Sequence, residues 1–504
     1  KLTPNRSDCL SLWGVAREVA AITTSSLSPI DYEVNPIKQS EKKNIVVEEK
    51  SACPRYCGRI IKNVDNTKTL PDWMVSRLER SNIKSISPIV DITNYVLLEI
   101  GQPLHAFDHD KLQGDVVVRF AKPEEPIHLL NDTKIKLSKK DLVIADNSGA
   151  IAFAGVMGGL SSSVTEASRN IFLESAFFDP IVIAGKARAY NLSTDSSYRF
   201  ERGVDFSNTR HALERATSLI IEYCGGEAGE ISEVLNTLPK RNEIHLRLKK
   251  LNAILGIEVP SQDVEQIFHQ LGFEVNKTIE GFKVTPPSYR FDIAIEEDIA
   301  EEVGRIALGY DKLPETVPPV TTGRGINAPG AVFASKVRTI LTGLGLQDIV
   351  GHSLTSPETA WTQDEQDTLV AIRNPMAPQY SSLRTSLFAT LVPIAARAVD
   401  SGIRDFGVFE LGSVYRRTSS GEYAEPRRVS IILSGSLTAG MWGIKAGTLP
   451  VDVYMAKGIV EHLILGLAIP NVTVTPATHV LGHPYRTAEV HAGNRVIGYF
   501  GEIR

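Results

Sequence analysis

The stretch DITNYVLLEIGQPLHAFD, residues 91–108, predicts a helix followed by a tight turn and a histidine. Its apolar residues favour a helix over 92–100, which Gly101 and Pro103 end. Apolar runs further along the chain predict strands at 142–145, 151–156 and 171–178. This mixture of a helix and strands predicts one α+β domain between about residues 51 and 235.

The regions on either side of this domain have patterns of their own. Before it, residues 7–21 predict a helix that Ser7 or Asp8 caps. After it, alternating residues at 244–248 predict a half-buried strand, and Ser261 is predicted to cap a helix. A strand region and a further helix are predicted at 282–293 and 296–308. Together these elements predict a separate unit of about 75 residues, a size that folds alone.

The last third of the chain is predicted to be another domain. The stretch 311–330 holds Pro314, Pro318, Pro319 and Pro329, which predicts a domain boundary. Beyond it, a helix opens the region 330–504. A second helix and two strands are predicted at 384–398, 406–415 and 428–433.

The composition limits the class of protein. The chain has 504 residues and a mass of 55.1 kDa, whereas a single core rarely exceeds roughly 250–300 residues, so several domains are expected. With 42% hydrophobic residues it is not a disordered chain, and a net charge of −5 excludes a strongly basic nucleic-acid coat. Four cysteines favour a reducing cytoplasm, and no apolar run reaches the roughly 18–20 residues of a membrane span. The chain opens on Lys1 without a signal-peptide pattern, and we expect a fragment of a longer protein.

Three residues of the α+β domain have the chemistry of a binding or catalytic site. Glu174 interrupts the apolar run 171–178, where a carboxylate is costly unless it finds a donor. A structural hydrogen bond and recognition of a ligand hydroxyl or amine are both open. The spacing of His105 is typical of a hydrogen-bonded loop histidine, although such a side chain also transfers protons near neutral pH. At Gly158 a tight turn is the simpler explanation, and close approach of a ligand to the backbone is the alternative.

An acidic cluster lies in the following unit. Asp298, Glu301 and Glu302 share one face of the predicted helix, and Asp292 precedes that helix. An ordinary solvated acidic face is the common explanation of such a pattern. The density of carboxylates nevertheless favours Mg²⁺, because hard oxygen ligands suit that ion.

Long runs of residues carry a resemblance to a known family. They are TPNRSDCLSLWGVAREVAA (3–21), DITNYVLLEIGQPLHAFD (91–108), AGVMGG (154–159), FLESAFF (172–178), TDSSYRFERGVD (194–205), RFDIAIEEDIAEEVGRIALGYDKLP (290–314), NPMAPQYSSLRTSL (374–387) and FGVFELGSVY (406–415). In this order they resemble the β subunits of bacterial phenylalanyl-tRNA synthetases. The resemblance spans nearly the whole chain.

The resemblance implies a multidomain α+β fold in four segments. They are a remnant of an N-terminal helical or winged-helix-like domain (1–45), an α+β editing domain of B3/B4 type (46–238), a winged-helix-like, DNA-binding-like B5-type domain associated with magnesium (239–315), and a catalytically inactive class II aminoacyl-tRNA synthetase-like antiparallel-sheet scaffold (325–504). The family's N-terminal tRNA-binding insertion and C-terminal anticodon-binding domain are not expected in this chain.

The family's activity belongs to an α2β2 heterotetramer. Its α subunit uses ATP to charge tRNA(Phe) with phenylalanine, and its β subunit hydrolyses mischarged Tyr-tRNA(Phe) at an editing site. For this chain the resemblance therefore implies an α subunit and tRNA(Phe) as partners and Mg²⁺ as cofactor. It also implies a cytoplasmic location and no membrane association.

The resemblance also assigns roles to individual residues. Glu174 is expected to accept the tyrosine hydroxyl, Thr93 and His105 to line the pocket and help place the ester and the attacking water, and Gly158 to allow the substrate's close approach. Thr194 is expected to complete the wall. The family commonly has Ala at the position of Ser196, which leaves the strength of tyrosine discrimination open. The acid quartet matches the family's magnesium site, shared with the α subunit: Asp292, Asp298, Glu301 and Glu302.

Two other functions stay open on the sequence. The chain is alternatively a non-catalytic nucleic-acid-binding module with a basic face near residues 240–250, although the acid quartet would repel phosphate. It is otherwise a structural subunit whose editing site has decayed. In the last domain, Arg384 and Glu410 resemble a class II arginine motif, but no glycine-rich arginine motif for ATP follows them.

Overall fold

The computed structural model describes residues 2–28, 30, 34–312, 315, 317, 328–438, 440–445 and 449–503. The chain separates into two compact units, Lys1–Val317 (unit 1) and Pro318–Arg504 (unit 2). Helices and sheets occur in both units, which confirms the predicted multidomain α+β class. The division into 1–45, 46–238, 239–315 and 325–504 stays a prediction. Of the prolines at the predicted boundary, Pro314, Pro318 and Pro319 lie outside the described residues.

Unit 1 contains most of the strands described. In chain order they are β1 (Ile45–Val47), β2 (Arg55–Lys62), β3 (Leu104–Asp108), β4 (Val116–Phe120), β5 (Glu125–His128), β6 (Lys134–Leu137), β7 (Leu142–Asp146), β8 (Gly149–Phe153), β9 (Met157–Gly158), β10 (Ile171–Phe177), β11 (Glu227–Ala228), β12 (Ser232–Leu235), β13 (Ile244–Arg247), β14 (Glu274–Lys277) and β15 (Gly281–Thr285). The strands predicted at 142–145 and 171–178 are confirmed, and that predicted at 151–156 begins earlier and ends at Phe153.

The helices of unit 1 lie between and after these strands. They are α1 (Leu12–Thr23), α2 (Asp72–Arg80), α3 (Pro88–Ile100), α4 (Pro180–Ile183), α5 (Lys186–Ala189), α6 (Asp195–Phe200), α7 (Thr209–Cys224), α8 (Leu248–Leu255), α9 (Ser261–Gln270) and α10 (Glu296–Ala307), with short 3₁₀ helices at Ser7–Cys9, His109–Lys111 and Tyr310–Lys312. Among the described helices of the chain, none has both the length and the apolar character that crossing a membrane requires.

Two five-stranded sheets form the core of the predicted α+β domain. One has the order β1-β4-β7-β8-β9, and the other has the order β11-β2-β10-β3 with β12 also paired to β2. Strand β10 is antiparallel to both β2 and β3 and is buried along its whole length. Its residues alternate between two apolar clusters: Ile171 and Leu173 pack with α3 and α7, whereas Phe172 and Ala176 pack with residues of the other sheet. The site described below lies on the second of these faces.

The ends of α1 and α3 show where local sequence signals succeed and fail. Helix α3 ends as predicted, because Gly101 adopts a left-handed φ of 84° that a glycine accepts without strain. The cap predicted for α1 at Ser7 or Asp8 is wrong. Those residues form a 3₁₀ turn, and the side chain of Ser11 accepts the capping hydrogen bond from the amide of Gly14 at 3.0 Å.

A three-stranded antiparallel sheet, β13-β15-β14, packs with α8, α9 and α10 around one apolar cluster. The strand predicted at 244–248 ends at Arg247, because Leu248 begins helix α8, which the alternating pattern did not indicate. Ser261 begins α9, but its hydroxyl makes no capping hydrogen bond. The winged-helix likeness of this region stays a prediction.

Unit 2 is described by itself. Its helices are α11 (Pro329–Gly343), α12 (Gln363–Asp367), α13 (Phe388–Asp400) and α14 (Val453–Gly466), and its strands are β16 (Gln347–Asp348), β17 (Leu354–Thr355), β18 (Val370–Ala371), β19 (Ser382–Leu383), β20 (Phe406–Ser413), β21 (Arg416–Arg417), β22 (Tyr423–Ala424), β23 (Arg427–Ser434), β24 (Val472–Pro476), β25 (Gly482–Ala492) and β26 (Arg495–Ile503). Both predicted strands are confirmed, as β20 and β23, and they pair antiparallel. The predicted second helix begins at Phe388, four residues later than expected.

Candidate functional site

Glu174 is the buried carboxylate at the centre of the candidate site. It lies on β10, directly opposite Gly58 of β2 and His105 of β3. Only 8% of the residue is exposed. Burial disfavours the ionised form and raises the pKa of Glu174 to about 7, although one hydrogen bond from Tyr56 acts in the opposite direction. The carboxyl group therefore changes charge in the physiological range.

The donor to Glu174 is Tyr56, a residue that the sequence analysis did not single out. Tyr56 is fully buried on β2, and its phenol hydroxyl donates to Oε2 of Glu174 at 2.8 Å. The run RYCGRIIK at residues 55–62 held the signal, because a buried tyrosine normally finds a hydrogen-bond partner for its hydroxyl. The requirement of Glu174 for a donor was recognised from the sequence, but the donor was not.

His105 lies beside Glu174 on the same face of the sheet. Directly paired residues of neighbouring strands project to one side, and the ring of His105 contacts Phe107 edge-on at 4.4 Å between centroids. Burial lowers the pKa of His105 to about 4, so the imidazole is neutral near pH 7. Its Nε2 atom is buried and has no hydrogen-bond partner among the described residues. A neutral imidazole with a free ring nitrogen is able to bind a water molecule or accept a proton.

Gly158 is required beside this ring. It lies on β9, and a Cβ atom added there would be 2.3 Å from Cε1 and 2.6 Å from Nε2 of His105. Such distances are far below van der Waals contact, so a larger residue would displace the imidazole. Gly158 thus lies in steric contact with His105, and its predicted role in the close approach of the substrate stays a prediction.

Thr194 and Ser196 lie on a neighbouring helix. Thr194 caps α6, accepting from the amide of Ser197 at 3.0 Å, and its hydroxyl donates to the carbonyl of Val156 at 2.8 Å. This second bond ties the start of α6 to the residues just before Gly158. Ser196 is half-buried on the first turn of the helix.

Thr93 has a different environment. It is buried on α3, and its hydroxyl donates to the carbonyl of Val90 at 2.7 Å. Neighbouring residues of α3 pack on the face of the β10 sheet opposite that of Glu174. Within the described residues, no hydrogen bond joins Thr93 to the other predicted site residues. Glu174, His105 and Gly158 thus lie together, whereas the hydroxyl of Thr93 is bonded within its own helix, α3.

Arginines hold two residues of the acid quartet, Asp292 and Glu302. Arg290, only 1% exposed, donates to both carboxylate oxygens of Asp292 at 2.9 Å and to Oε2 of Glu302 at 2.7 Å. Arg305 donates to the same Glu302 oxygen at 2.5 Å and also pairs with Glu18 of α1. Burial opposes ionisation of Glu302, but the bonds from Arg290 and Arg305 outweigh it and lower the pKa of Glu302 to about 2.

The other two acids have separate partners. Oδ2 of Asp298 accepts from the amides of Ala294 and Ile295 at 2.8 and 2.9 Å, and so caps the start of α10. The exposed Glu301 accepts from the hydroxyl of Tyr310 at 2.5 Å. Across the described residues, no three of the four acids bring ligand oxygens within 4.8 Å of one another. The four acids are thus not gathered around one point among the described residues, and the magnesium site stays a prediction.

One other grouping of possible ligands occurs in the described part of the chain. Oxygens of Asp8 and Glu18 and the thiol of Cys9 lie within 4.8 Å of one another. Arg6 donates to Asp8 at 2.9 Å and to Glu18 at 2.5 Å, so an arginine already neutralises these carboxylates. The grouping belongs to the same ion network as Arg305.

The basic face considered for nucleic acid is also partly neutralised. Arg247 pairs with Glu296 at 2.7 Å, and Lys250 pairs with Glu296 at 3.1 Å. The guanidinium of Arg241 lies over the ring of Phe291, 4.1 Å from its centroid. The two ion pairs reduce the positive charge that Arg247 and Lys250 offer to phosphate, whereas the Arg241 guanidinium stays charged but packs on an aromatic ring. Together these contacts weigh against the DNA-binding alternative.

In unit 2, Arg384 is committed to an internal pair. Its Nη1 atom donates to Oε1 of Glu410 at 2.6 Å, and both residues are buried. Thr390 bridges the two, donating to Glu410 at 3.3 Å. The arginine that resembles a class II motif is therefore occupied within the unit.

Comparison with known families divides the sequence into three matched regions. Residues 52–225 match the B3/4 domain, residues 244–310 match the tRNA synthetase B5 domain, and residues 313–504 match the phenylalanyl tRNA synthetase beta chain CLM domain.

Individual relatives agree with these matches. Proteins named phenylalanine–tRNA ligase beta subunit from Neisseria gonorrhoeae, Nitrosospira multiformis and Methylococcus capsulatus are 39%, 40% and 40% identical to the whole of this chain. The chain spans 63% of the length of each of them. A solved N-terminal fragment of the phenylalanyl-tRNA synthetase beta subunit from Pyrococcus horikoshii is 17% identical, with a TM-score of 0.30 over 61% of this chain and 85% of that one.

Proposed function

We propose that this chain, which belongs to the phenylalanine–tRNA ligase beta subunit family, hydrolyses the tyrosine ester of mischarged tRNA(Phe). One observation carries the proposal: a buried carboxylate, Glu174, shares a sheet face with a neutral histidine whose ring nitrogen has no protein partner in the described chain. A hydroxyl-reading group and a water-binding group thus lie side by side. Gly158 keeps the ring in place by leaving it room.

The proposed reaction is the hydrolysis of an aminoacyl ester. Water adds to the ester carbonyl, the bond from the carbonyl carbon to the ribose oxygen breaks, and free tyrosine and uncharged tRNA form. His105, neutral at pH 7 because burial lowers its pKa to about 4, orients the attacking water through Nε2, and this water loses a proton as the carbon–oxygen bond forms. The proton is then given to the departing ribose oxygen.

Glu174 supplies the choice of substrate. An apolar phenylalanine pocket cannot strongly reject an amino acid that only adds a hydroxyl, so a second site has to read that hydroxyl. The carboxylate accepts from the substrate phenol, whereas a phenylalanine ester leaves the same buried acceptor unpaired. Thr194 and Ser196 are proposed as the pocket wall, with the size of Ser196 limiting the space for the side chain. Thr93 is proposed to help place the ester.

The rest of the chain is proposed to support a larger assembly. Unit 2, with Arg384 bound internally, is proposed as scaffold for a catalytic α subunit that uses ATP to charge tRNA(Phe). An α2β2 assembly in the cytoplasm is the proposed context. A magnesium role is kept as a proposal for the acid quartet in that assembly, and no step above depends on it.

A deacylation assay tests the function. Tyr-tRNA(Phe) and Phe-tRNA(Phe) are incubated with the 504-residue chain alone and with its α partner, and the two hydrolysis rates are compared. Glu174→Gln is expected to lower the ratio of the tyrosine to the phenylalanine rate about tenfold, because a neutral amide is a weaker acceptor than a carboxylate.

The matched control is Glu125→Gln, which alters another buried glutamate of the same domain, held by Arg119 at 2.7 Å. It is expected to leave the ratio unchanged. Discrimination equal to that of the wild type in the Glu174 variant would show that this carboxylate does not read the phenol. No hydrolysis of either ester, with or without the partner, would favour the structural subunit with a decayed site.

A further inference from the structure

The hydrogen bond between Tyr56 and Glu174 has the same chemistry as the contact proposed for the substrate. In both cases a phenol hydroxyl donates to the buried carboxylate. In the folded chain the hydroxyl of Tyr56 donates to Oε2 at a distance of 2.8 Å. Oε1 of Glu174 is then the oxygen left for a second donor, and the bond to Oε2 restrains rotation of the carboxylate plane.

We propose that Tyr56 is the positioning residue for tyrosine selectivity: it holds Oε2 of Glu174 so that Oε1 faces the substrate phenol. This inference rests on the proposed function and extends it to a residue outside the pocket wall. Tyr56 touches no reacting atom in this scheme and acts through Glu174.

The position of Tyr56 supports this role. It is fully buried on β2, directly paired with Ala176 of β10, two residues from Glu174 along that strand. Gly58, directly opposite Glu174, has no side chain to come between the phenol and the carboxylate. The hydroxyl of Tyr56 reaches Glu174 diagonally across the pair of strands, within the range of a long aromatic side chain.

The surroundings of Glu174 make this one bond important. The ionisable groups that face it are Tyr56 from β2, Cys53 just before β2, and His105 from β3. Burial raises the pKa of the Cys53 thiol and lowers that of His105, so both are neutral near pH 7. No arginine or lysine pairs with Glu174 in the described part of the chain. Tyr56 is therefore the group that offsets burial and favours the ionised, accepting form of the carboxyl.

The test uses Tyr56→Phe in the full chain, a change that removes one oxygen and keeps the buried ring. The rate ratio for Tyr-tRNA(Phe) over Phe-tRNA(Phe) is measured from pH 5.5 to 9. In the wild type the ratio should rise through about pH 7, following the pKa of Glu174. In the variant the midpoint should move up by about one pH unit, from about 7 to about 8, so the ionised fraction and with it the ratio fall about fivefold at pH 7. The part of this loss that comes from protonation should be recovered at pH 9, and the part that comes from misorientation of the carboxylate should remain.

A second measurement needs no substrate. Infrared absorbance of the protonated carboxyl group is followed against pH, using Glu174→Gln in each background to isolate the signal of Glu174. The midpoint should be higher in Tyr56→Phe than in the wild type. The matched control is Tyr190→Phe, which removes a phenol-to-carboxylate bond to Asp141 of 2.5 Å in the same domain and should move neither midpoint.

The outcomes separate the two proposals. An unchanged infrared midpoint in Tyr56→Phe would overturn the inference, as would a shifted midpoint with an unchanged selectivity profile. If the wild type shows no tyrosine selectivity at any pH, the proposed function is wrong, and so is the selectivity role of Tyr56 that depends on it. A shift in both measurements, absent from Tyr190→Phe, supports the inference.

Discussion

Gly158→Ala is predicted to disable the candidate site by moving one ring. The added methyl would lie 2.3 Å from Cε1 of His105 and 3.1 Å from Cδ1 of Leu130. Normal carbon contacts need about 3.5 Å, so the imidazole must retreat by about 1 Å against Phe107, whose ring centroid is 4.4 Å away. Displacement of a catalytic group by that distance costs about 100-fold in rate, and we expect such a loss for both esters.

The same clash is also expected to lower the free energy of unfolding. Overpacking a core costs about 1–3 kcal/mol, and replacing glycine by alanine returns about 0.4–1 kcal/mol through the unfolded chain. The net loss for Gly158→Ala therefore lies between about 0 and 2.6 kcal/mol, centred near about 1.3 kcal/mol. In a His105→Ala background the clash with the imidazole is absent and only the contact with Cδ1 of Leu130 at 3.1 Å remains, so the same substitution should become neutral or stabilising by up to about 0.5 kcal/mol.

A double-mutant cycle measures this difference. Urea unfolding is followed by hydrogen exchange of the β10 peptide at 171–177, so that unfolding of unit 2 does not enter the result. An equal loss from Gly158→Ala in both backgrounds would refute the reasoning, since it would show that the glycine is needed for a reason other than room for His105.

Four further predictions concern buried charges. Arg290→Ala leaves two carboxylates without their shared partner and should lower the stability of unit 1 by about 3–5 kcal/mol in urea unfolding; a loss below about 1 kcal/mol would contradict the network. Arg290 and Arg305 lower the pKa of Glu302 from 4.5 to about 2. The stabilisation that ionised Glu302 gives is therefore complete above pH 4.5 and is lost as the pH falls through 2. Glu302→Gln should therefore weaken the fall of the urea unfolding midpoint as the pH drops from 4.5 to 2. An unchanged fall would show that ionised Glu302 does not stabilise the fold. For Glu174, whose pKa is raised from 4.5 to about 7, the stabilisation is present below pH 4.5 and lost as the pH rises through 7. Glu174→Gln should thus be more stable than the wild type by about 2–3 kcal/mol at pH 8 and not at pH 4, as thermal unfolding will show. In unit 2, Arg384→Met alone should lower the free energy of unfolding by about 3–5 kcal/mol, and the double variant with Glu410→Leu should lose much less. Equal losses in the single and double variants would show that the two residues do not act as a buried pair.

The sequence was a good guide wherever local physics decides the structure. Helix α3 and strand β10 follow their patterns because a glycine stop and a continuous apolar run act over a few residues. Helix α8 was missed because its first leucine continues an alternating strand pattern, and only the packing of the unit ends that strand at Arg247.

In the candidate site, too, features set by local sequence could be predicted, whereas features set by strand pairing could not. The cost of burying Glu174 was visible in the sequence, since an acid in an apolar strand needs a donor wherever it lies. Its donor, Tyr56, is 118 residues away in the chain and is brought close only by the pairing of β2 with β10. Local patterns carry no information about strand partners, so the requirement could be predicted and the residue that meets it could not.

The acid quartet shows why a one-element pattern does not choose between a metal and an arginine. The spacing of Asp298, Glu301 and Glu302 predicts shared negative charge on a helix face, and any cation relieves it. In the structure the relief for Glu302 comes from Arg305 one turn away and from Arg290, twelve residues earlier, which also holds Asp292. A guanidinium meets the planar carboxylate with two bonds and brings its charge within the fold, whereas Mg²⁺ demands octahedral oxygens and gives up its water reluctantly. A metal that binds Asp292 and Glu302 must displace the arginines that already contact them, so the negative charge of these two residues belongs to an ion network of the folded chain.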